Sequence, residues 1–439
     1  MLREAKQGIE QPEETRTRTS MISSDSCSRL VAGNYDVIVN EPSSFKSIIS
    51  EFLQRFERHE SELAQAENGY VREFKLLKEY SKALKEDKSN LIDGELEFNL
   101  RKNRYKDILP FNHTRVILSG QEQTPGSDYI NANYIRGPSG CPRAYIACQG
   151  PLSCTLNDFW RMIWECGVLV VVMACNENES ERPKCELYWP EQVDSSQCYG
   201  NIQVTLVKVR QICADFLIRK FSVKYLEASH SQESCKMEQI TPTNNNNNNN
   251  NDYDTNNAYD NDSAYGQRDG RENACNGSNG VSQRRVVAER TICQFHYTTW
   301  PDHGVPDSVQ PILELVRLVR EVQPAEDKPI LVHCSAGCGR TGTICCIDYV
   351  WGLLKRGKLD SCFDLFNIIS ELRQQRMSMV QTLQQYILCH RAVAALFMNQ
   401  LKLMDNHTYE NLDSIEDLTL DEIAYEDDDD EQDLGPVFI

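Results

Sequence analysis

Long hydrophobic runs are missing from this 439-residue chain. Its longest apolar stretch, Val168 to Ala174, is far short of the roughly 20 residues a helix needs to cross a bilayer, so no membrane span is expected. No charged segment followed by an apolar one opens the chain, which argues against export. Paired cysteines are missing as well. The 18 cysteines are scattered without Cys-x-x-Cys spacing, so neither a disulfide framework nor a zinc cage is expected, and reduced cytoplasmic thiols suit the pattern better. There is no Gly-rich run ending in Lys-Ser/Thr, which excludes a Walker nucleotide loop. Basic excess is absent too: 46 Lys and Arg stand against 65 Asp and Glu, and nothing forms the basic stripe of a nucleic-acid binder. The acidity is localised. From Asp405 onward there are 14 acidic and no basic side chains, so this tail carries most of the net −19.

What is present is concentrated in Val332-His333-Cys334-Ser335-Ala336-Gly337-Cys338-Gly339-Arg340-Thr341-Gly342. The apolar run Pro329 to Val332 before it reads as a strand, and Thr343 to Trp351 after it as a buried helix. A loop feeding a helix N-terminus gathers oriented N–H groups and a positive dipole end around a hole the size of a dianion. Glycines let its main chain turn tightly. Helix N-termini and nearby cations favour the thiolate of a cysteine, which places Cys334 to be a nucleophile. Arg340 offers a planar fork for phosphate oxygens. A lone cysteine after a strand is ordinarily packing. Here it shares one loop with Arg340 and Thr341, and catalysis is the better reading. Thr341 can hydrogen-bond the departing thiolate.

A second constellation is Trp300-Pro301-Asp302-His303-Gly304-Val305-Pro306, between a strand-like segment, Thr291 to Tyr297, and an amphipathic helix, Val309 to Val322, with Asp307 or Ser308 as N-cap. A carboxylate on such a loop can swing over a pocket and protonate a leaving group, a contribution of roughly 10²–10⁴-fold. Taken alone, Asp302 reads more readily as an N-capping or turn residue, and His303 reads as structural.

Together these motifs resemble the protein tyrosine phosphatases, with a His-Cys-x5-Arg-Ser/Thr loop and a mobile acid loop. The resemblance runs from about Phe45 to Leu401. It implies an α/β fold, a single phosphatase domain with a twisted mixed central sheet flanked by helices. It makes Cys334 the nucleophile, Arg340 and the amides of Ser335, Ala336, Gly337, Cys338 and Gly339 the phosphate cradle, and Asp302 the general acid. His333 and Trp300 would be supporting residues. Asn103 to Phe111 resembles the family's phosphotyrosine-recognition loop, with Tyr105 stacking on the substrate ring and Asp107 accepting from the substrate backbone. Stretches Asp128 to Ile135 and Gln149 to Leu152 are further signatures, read as scaffold. Val380 to Tyr386 resembles the glutamine loop, in which Gln381 would position the hydrolytic water and Gln385 would help hold it. Glu179 would orient Arg340 by position, in competition with Glu177 and Glu181. Ile347-Asp348-Tyr349 and His390 to Ala394 resemble the PEST-type non-receptor subfamily in particular. The chain departs from its relatives at Cys148, where threonine is usual.

The resemblance implies phosphotyrosine-containing proteins as substrates, a cytoplasmic location, and chemistry that needs no metal or organic cofactor. Three rival classes are weighed against it. A catalytically dead phosphotyrosine-binding module would not need Cys334, Arg340, Asp302 and Gln381 intact. A dual-specificity or lipid phosphatase has a shallower or more basic pocket than the Tyr105 loop suggests. A thiol redox enzyme would want a resolving cysteine, and Cys338 lies one residue too far for the usual pair.

The expected layout is a disordered lead over 1–43, a catalytic domain over 44–402, and an acidic disordered tail over 403–439. Helical periodicity marks Phe45 to about Leu84. An insertion at about 229–283, with eight consecutive asparagines at Asn244 to Asn251, cannot bury enough apolar surface to fold. It separates two strand-like runs, Ile218 to Leu226 and Val286 to Tyr297. A surface hairpin tolerates it because closure cost grows only logarithmically; an inert expansion is the better reading, with a regulatory role as the alternative. In the tail, Tyr409-Glu410-Asn411 resembles ligands of SH2 adaptor domains once phosphorylated. The alternative is a solubilising tail with an incidental tyrosine.

Overall fold

A computed structural model describes residues 42–119, 124–228, 284–301, 304–323 and 326–406. Most of the expected lead, the Asn-rich insertion, the acidic tail with Tyr409, and both Asp302 and His303 lie outside the described residues.

The chain opens on α1 (Pro42–Ser61) and α2 (Gly69–Glu86). The single periodic segment expected there is thus two helices, the second begun by Asn68, whose side chain accepts from the Val71 N–H at 3.0 Å. One-turn helices α3 (Ile92–Glu95) and α4 (Glu97–Leu100) follow, then β1 (Arg115–Ile117), β2 (Tyr129–Ile135), β3 (Tyr145–Gln149), α5 (Leu156–Glu165) and β4 (Val170–Met173). A small hairpin, β5 (Asn178–Glu179) and β6 (Arg182–Pro183), precedes β7 (Ser196–Tyr199), β8 (Ile202–Gln211), β9 (Phe216–Ala228) and β10 (Arg284–Tyr297). The chain then runs through α6 (Gln310–Val322), β11 (Ile330–Cys334), α7 (Gly339–Lys355), α8 (Leu365–Gln375) and α9 (Leu383–Asn406).

Two compact units emerge. Among the described residues, the first lies within 42–188, 210–219 and 293–406, and the second within 189–209, 220–228 and 284–292. In the first, the strand order is β1-β2-β3-β11-β4-β10. Strand β11 lies parallel to β3 on one side and to β4 on the other, with Cys334 opposite Gln149 and His333 opposite Met173. All five β11 residues are buried, as expected of a parallel strand covered on both faces. Helix α7 is buried over most of its length and packs against β11, α8 and α9, so its N-terminus is fixed by packing on several sides. Strand β11 therefore delivers the phosphate-loop sequence at its C-terminal end, in the middle of the sheet. The second unit holds β7, most of β8 and the outer lengths of β9 and β10, in the order β10-β9-β8-β7.

The cap expected for α6 is different. Val309 occupies the N-cap position with no side-chain cap, and the Ser308 hydroxyl accepts only a long 3.3 Å bond from the Gln310 N–H. Pro311 in the first turn has no N–H to satisfy, which reduces the need for a cap.

Candidate active site

Residues 335–338 link β11 to α7, and their carbonyls are all engaged. The Ser335 carbonyl accepts from the Gly150 N–H at 3.0 Å, and the Cys338 carbonyl from the Gly342 and Val380 N–H groups at 2.8 and 3.3 Å. Those of Ala336 and Gly337 accept from the Arg376 guanidinium at 3.0 and 2.7 Å. A peptide plane holds its C=O and the following N–H in opposite directions. Carbonyls drawn outward therefore turn the amides of Ala336, Gly337, Cys338 and Gly339 to the other side, as an anion cradle requires. Gly337 makes this shape feasible: its φ is 71°, and a Cβ would lie 2.1 Å from the Cys148 carbonyl oxygen. Arg376 is fully buried and also donates to Asn133 and Asn131 on β2 at 2.7 and 2.8 Å. The Arg376 guanidinium thus fastens the loop to the sheet.

Cys334 is buried, and Thr341 donates to its sulfur at 3.2 Å. The ring of His333 lies within hydrogen-bonding distance of the Tyr188 hydroxyl, 2.8 Å from Nε2. Burial pushes its pKa down to about 3, so the imidazole is neutral. Cys338, in contrast, turns its thiol into an apolar cluster with Ile108, Leu109, Phe111 and Met377. Burial raises that thiol to about 11, which makes it a poor resolving partner for a redox pair.

Arg340 is gripped from three sides. Its guanidinium donates to both carboxylate oxygens of Glu179 at 2.6 and 2.9 Å, to the Ala174 carbonyl at 3.0 Å and to the Pro301 carbonyl at 3.1 Å. Burial opposes its charge, but the Glu179 bonds outweigh that and hold it above the ordinary arginine range. The β5–β6 hairpin selects Glu179 from its neighbours. Ser180 and Glu181 take φ of 47° and 62° at the tip, the backbone of a primed two-residue turn. This leaves Glu181 exposed and Glu177 half-buried, while Glu179 points inward.

Tyr105 stands at the rim, its hydroxyl 2.9 Å from the Ser335 hydroxyl, and Asp107 is exposed beside it. The recognition loop is anchored by Arg104, whose N–H donates to Gln149 at 2.9 Å and whose guanidinium donates to the Gly150 and Pro151 carbonyls at 3.1 and 2.6 Å. On the far side, the Gln385 side-chain oxygen accepts from the N–H groups of Gln381 and Thr382 at 2.9 and 3.2 Å. Gln385 is buried against Gly339, where a Cβ would lie 2.7 Å from its oxygen, and Gln381 is exposed. Trp300 is buried edge-on to Tyr297, its indole N–H without a partner among the described residues. Pro301 ties the start of the acid loop to Arg340, and Asp302 follows it outside the described residues.

This geometry has relatives. The family model for protein-tyrosine phosphatases matches residues 99–252 and 267–395. The chain belongs to the protein-tyrosine phosphatase family. It is similar to human tyrosine-protein phosphatase non-receptor type 12, 38% identical over 392 residues that cover 89% of this chain and 42% of the relative. Human non-receptor type 18 is 36% identical over 321 residues, 73% of this chain and 56% of the relative. The chain thus spans about half the length of these relatives. Among solved structures, the catalytic domain of human non-receptor type 18 superposes with a TM-score of 0.57 at 35% identity, covering 75% of this chain and 96% of that one. PTPN18 in complex with HER2 phosphor-peptides matches with a TM-score of 0.61 at 34% identity, covering 80% of this chain and 99% of that one. These non-receptor relatives agree with the PEST-type resemblance read from the sequence.

Sequence reasoning missed two arginines of this phosphatase fold. Arg376 binds the phosphate loop, and Arg373 donates to the carbonyls of Met379, Val380 and Leu77 at 2.8, 2.6 and 2.8 Å. Their one available signal is two basic residues in the last turn of α8 and just beyond it, where they read as ordinary helix-dipole partners. Gln149, taken as scaffold, also bonds the recognition loop on both sides, accepting from the Arg104 N–H and donating to the Lys102 carbonyl at 2.8 Å.

Proposed function

We propose that the chain hydrolyses phosphotyrosine on proteins and so dampens tyrosine-kinase signalling in the cytoplasm. The observation that carries this reading is the thiol of Cys334 at the foot of an outward-tied loop, with Arg340 fixed bidentately by Glu179 at the loop's far end. The thiolate of Cys334 attacks phosphorus, and the S–P bond forms as the P–O bond to the tyrosine breaks. The loop amides and Arg340 hold the equatorial oxygens throughout. Asp302 gives its proton to the leaving phenol. Water positioned by Gln381, itself held through Gln385, then attacks the cysteinyl-phosphate while Asp302 takes a proton back. Thr341 donates to the sulfur as it leaves as thiolate, which lowers the barrier to that second step. Tyr105 stacks on the substrate ring, a contact worth about 0.5–1.5 kcal/mol beyond its buried area, and Asp107 accepts from the substrate backbone.

Tyr105 beside the loop, its hydroxyl next to Ser335, supports a substrate that carries an aromatic ring, and the phosphopeptide complexes of a relative support a peptide substrate. No helix among the described residues is long and apolar enough to cross a membrane. The deciding experiment is turnover of a phosphotyrosine peptide against phosphoserine peptide and phosphoinositide. Preference for either of the latter would remove the reading. Phosphorylated Tyr409 is proposed as an SH2-domain ligand, and a phosphopeptide spanning Asp405 to Asp417 should lose adaptor binding on Asn411→Ala.

A further inference from the structure

Three side chains that no sequence spacing links meet behind the nucleophile. Cys175 lies just after β4, Cys185 just after β6, and His333 is the residue before Cys334. All three are buried, and one donor atom from each lies within 4.8 Å of the others. The Cys185 thiol is the leading influence that holds the Cys175 thiol above its ordinary range. The Tyr188 hydroxyl sits 2.8 Å from His333 Nε2 and is electrostatically coupled to both sulfurs. The mechanism above uses neither Cys175 nor Cys185.

We propose that Cys175, Cys185 and His333 form an inhibitory site for a soft divalent cation of the zinc class. Two sulfurs and an imidazole are a donor set that zinc prefers, with metal–sulfur and metal–nitrogen bonds of about 2.3 and 2.0–2.1 Å. Tetrahedral bonds of that length place donors about 3.3–3.8 Å apart, so the cluster needs to contract by an ångström or so. Binding breaks two S–H bonds, forms two S–metal bonds and releases two protons to solvent. A dication with two thiolates is neutral as a unit, which is what a buried, apolar setting tolerates. The His333 ring is already neutral and needs to lose no proton to ligate. A metal on that ring replaces its Tyr188 contact and draws on the residue bonded to Cys334, so turnover falls. The inhibition rests on the phosphatase reading; the binding does not.

The test uses the full chain carrying Cys334→Ser, which removes the active-site thiol. Cadmium titration, and refolding in the presence of cadmium, should give thiolate-to-metal charge-transfer absorption at one ion per chain, displaced by zinc. Adding Cys175→Ser or Cys185→Ser should weaken binding by more than the about 10–100-fold that losing an outer-shell partner costs. Thermal unfolding checks that each variant folds, and either one that folds decides the matter. With Cys334 intact, zinc should slow hydrolysis of a phosphotyrosine peptide, and Cys175→Ser should blunt that inhibition at least tenfold without changing metal-free turnover. Absence of the charge-transfer signal overturns the site. So does equal cadmium affinity in folded Cys175→Ser and Cys185→Ser, or zinc inhibition indifferent to Cys175→Ser. A clear signal in a chain with no phosphatase activity would defeat the proposed function and leave the site standing.

Discussion

Two irregular segments flank the N-terminus of α7, and they are held in opposite ways. In the phosphate loop, 335–338, the one residue at positive φ is Gly337, so the local sequence suits its conformation. In the turn after α8, Ser378 and Val380 take φ of 59° and 56° with side chains present, and a β-branched residue there is a genuine outlier. Each such residue costs on the order of 1–3 kcal/mol and persists only where the surroundings over-determine it. Those surroundings are Arg373, bonded to the Met379 and Val380 carbonyls, and the Val380 N–H, bonded to Cys338. The loop that binds phosphate is at ease; the turn that presents Gln381 is strained and clamped. Strain beside Gln381 fixes its backbone without lengthening the chain.

The comparison breaks most completely at the nucleophile. Cys334→Ser should reduce phosphotyrosine-peptide turnover to background while phosphate binding survives, because a hydroxyl is a far poorer nucleophile near neutral pH. Turnover within tenfold of the parent would defeat the covalent route. Gly337→Ala should come next. It forces a side chain into the Cys148 carbonyl at an unfavourable φ, so kcat should fall by about 10²-fold or more and stability by about 1–3 kcal/mol. A variant with unchanged kinetics would show that the loop shape is not what holds the cradle.

Arg376→Met sharpens the distinction between loop and turn. It leaves the buried Gly337 carbonyl unpaired at about 1–3 kcal/mol, and the Ala336 carbonyl with only the Cys338 thiol, 3.5 Å away. The unfolding midpoint should drop accordingly, with kcat lowered more than KM is raised. Removing strain is a smaller change of the opposite sign. Ser378→Gly should stabilise by about 1 kcal/mol, since glycine meets no Cβ penalty at φ 59°. Lower stability would mean that the turn is not strained.

A pH effect separates the core from both segments. His296, His333 and His390 are buried and held near 4, 3 and 4, with burial the leading cause in each. Their folded pKa values lie below the unfolded value of about 6.5, so below that pH the unfolded chain binds more protons. The stability these rings contribute is therefore present above about 6.5 and is lost as pH falls toward 4, by up to about 1.4 kcal/mol per pH unit for each ring. Denaturant midpoints at pH 7 and 5 should show the loss, and His390→Gln should reduce its slope by one proton.

The amino-acid sequence by itself determined whatever is carried by contiguous residues. Cys334, Arg340 and Thr341 lie within one contiguous stretch, 334–341, and strand, loop and helix N-terminus follow from the local order of apolar, glycine and polar residues. The strands on either side of the Asn-rich insertion were legible for the same reason, as alternation and apolar runs are short-range signals. The tertiary structure decided what depends on side chains meeting across the sheet. Glu179 was inseparable from Glu177 and Glu181 until the positive φ values of Ser180 and Glu181 turned it toward Arg340. Arg376 reads as a polar helix end, yet it reaches β2 and the phosphate loop at once, more than 200 positions from Asn131. Cys175, Cys185 and His333 lack any motif spacing and meet only because β4 and β11 are parallel neighbours. Long-range contacts of this kind are fixed by register and burial, which depend on every strand between the partners and leave no mark at the positions themselves.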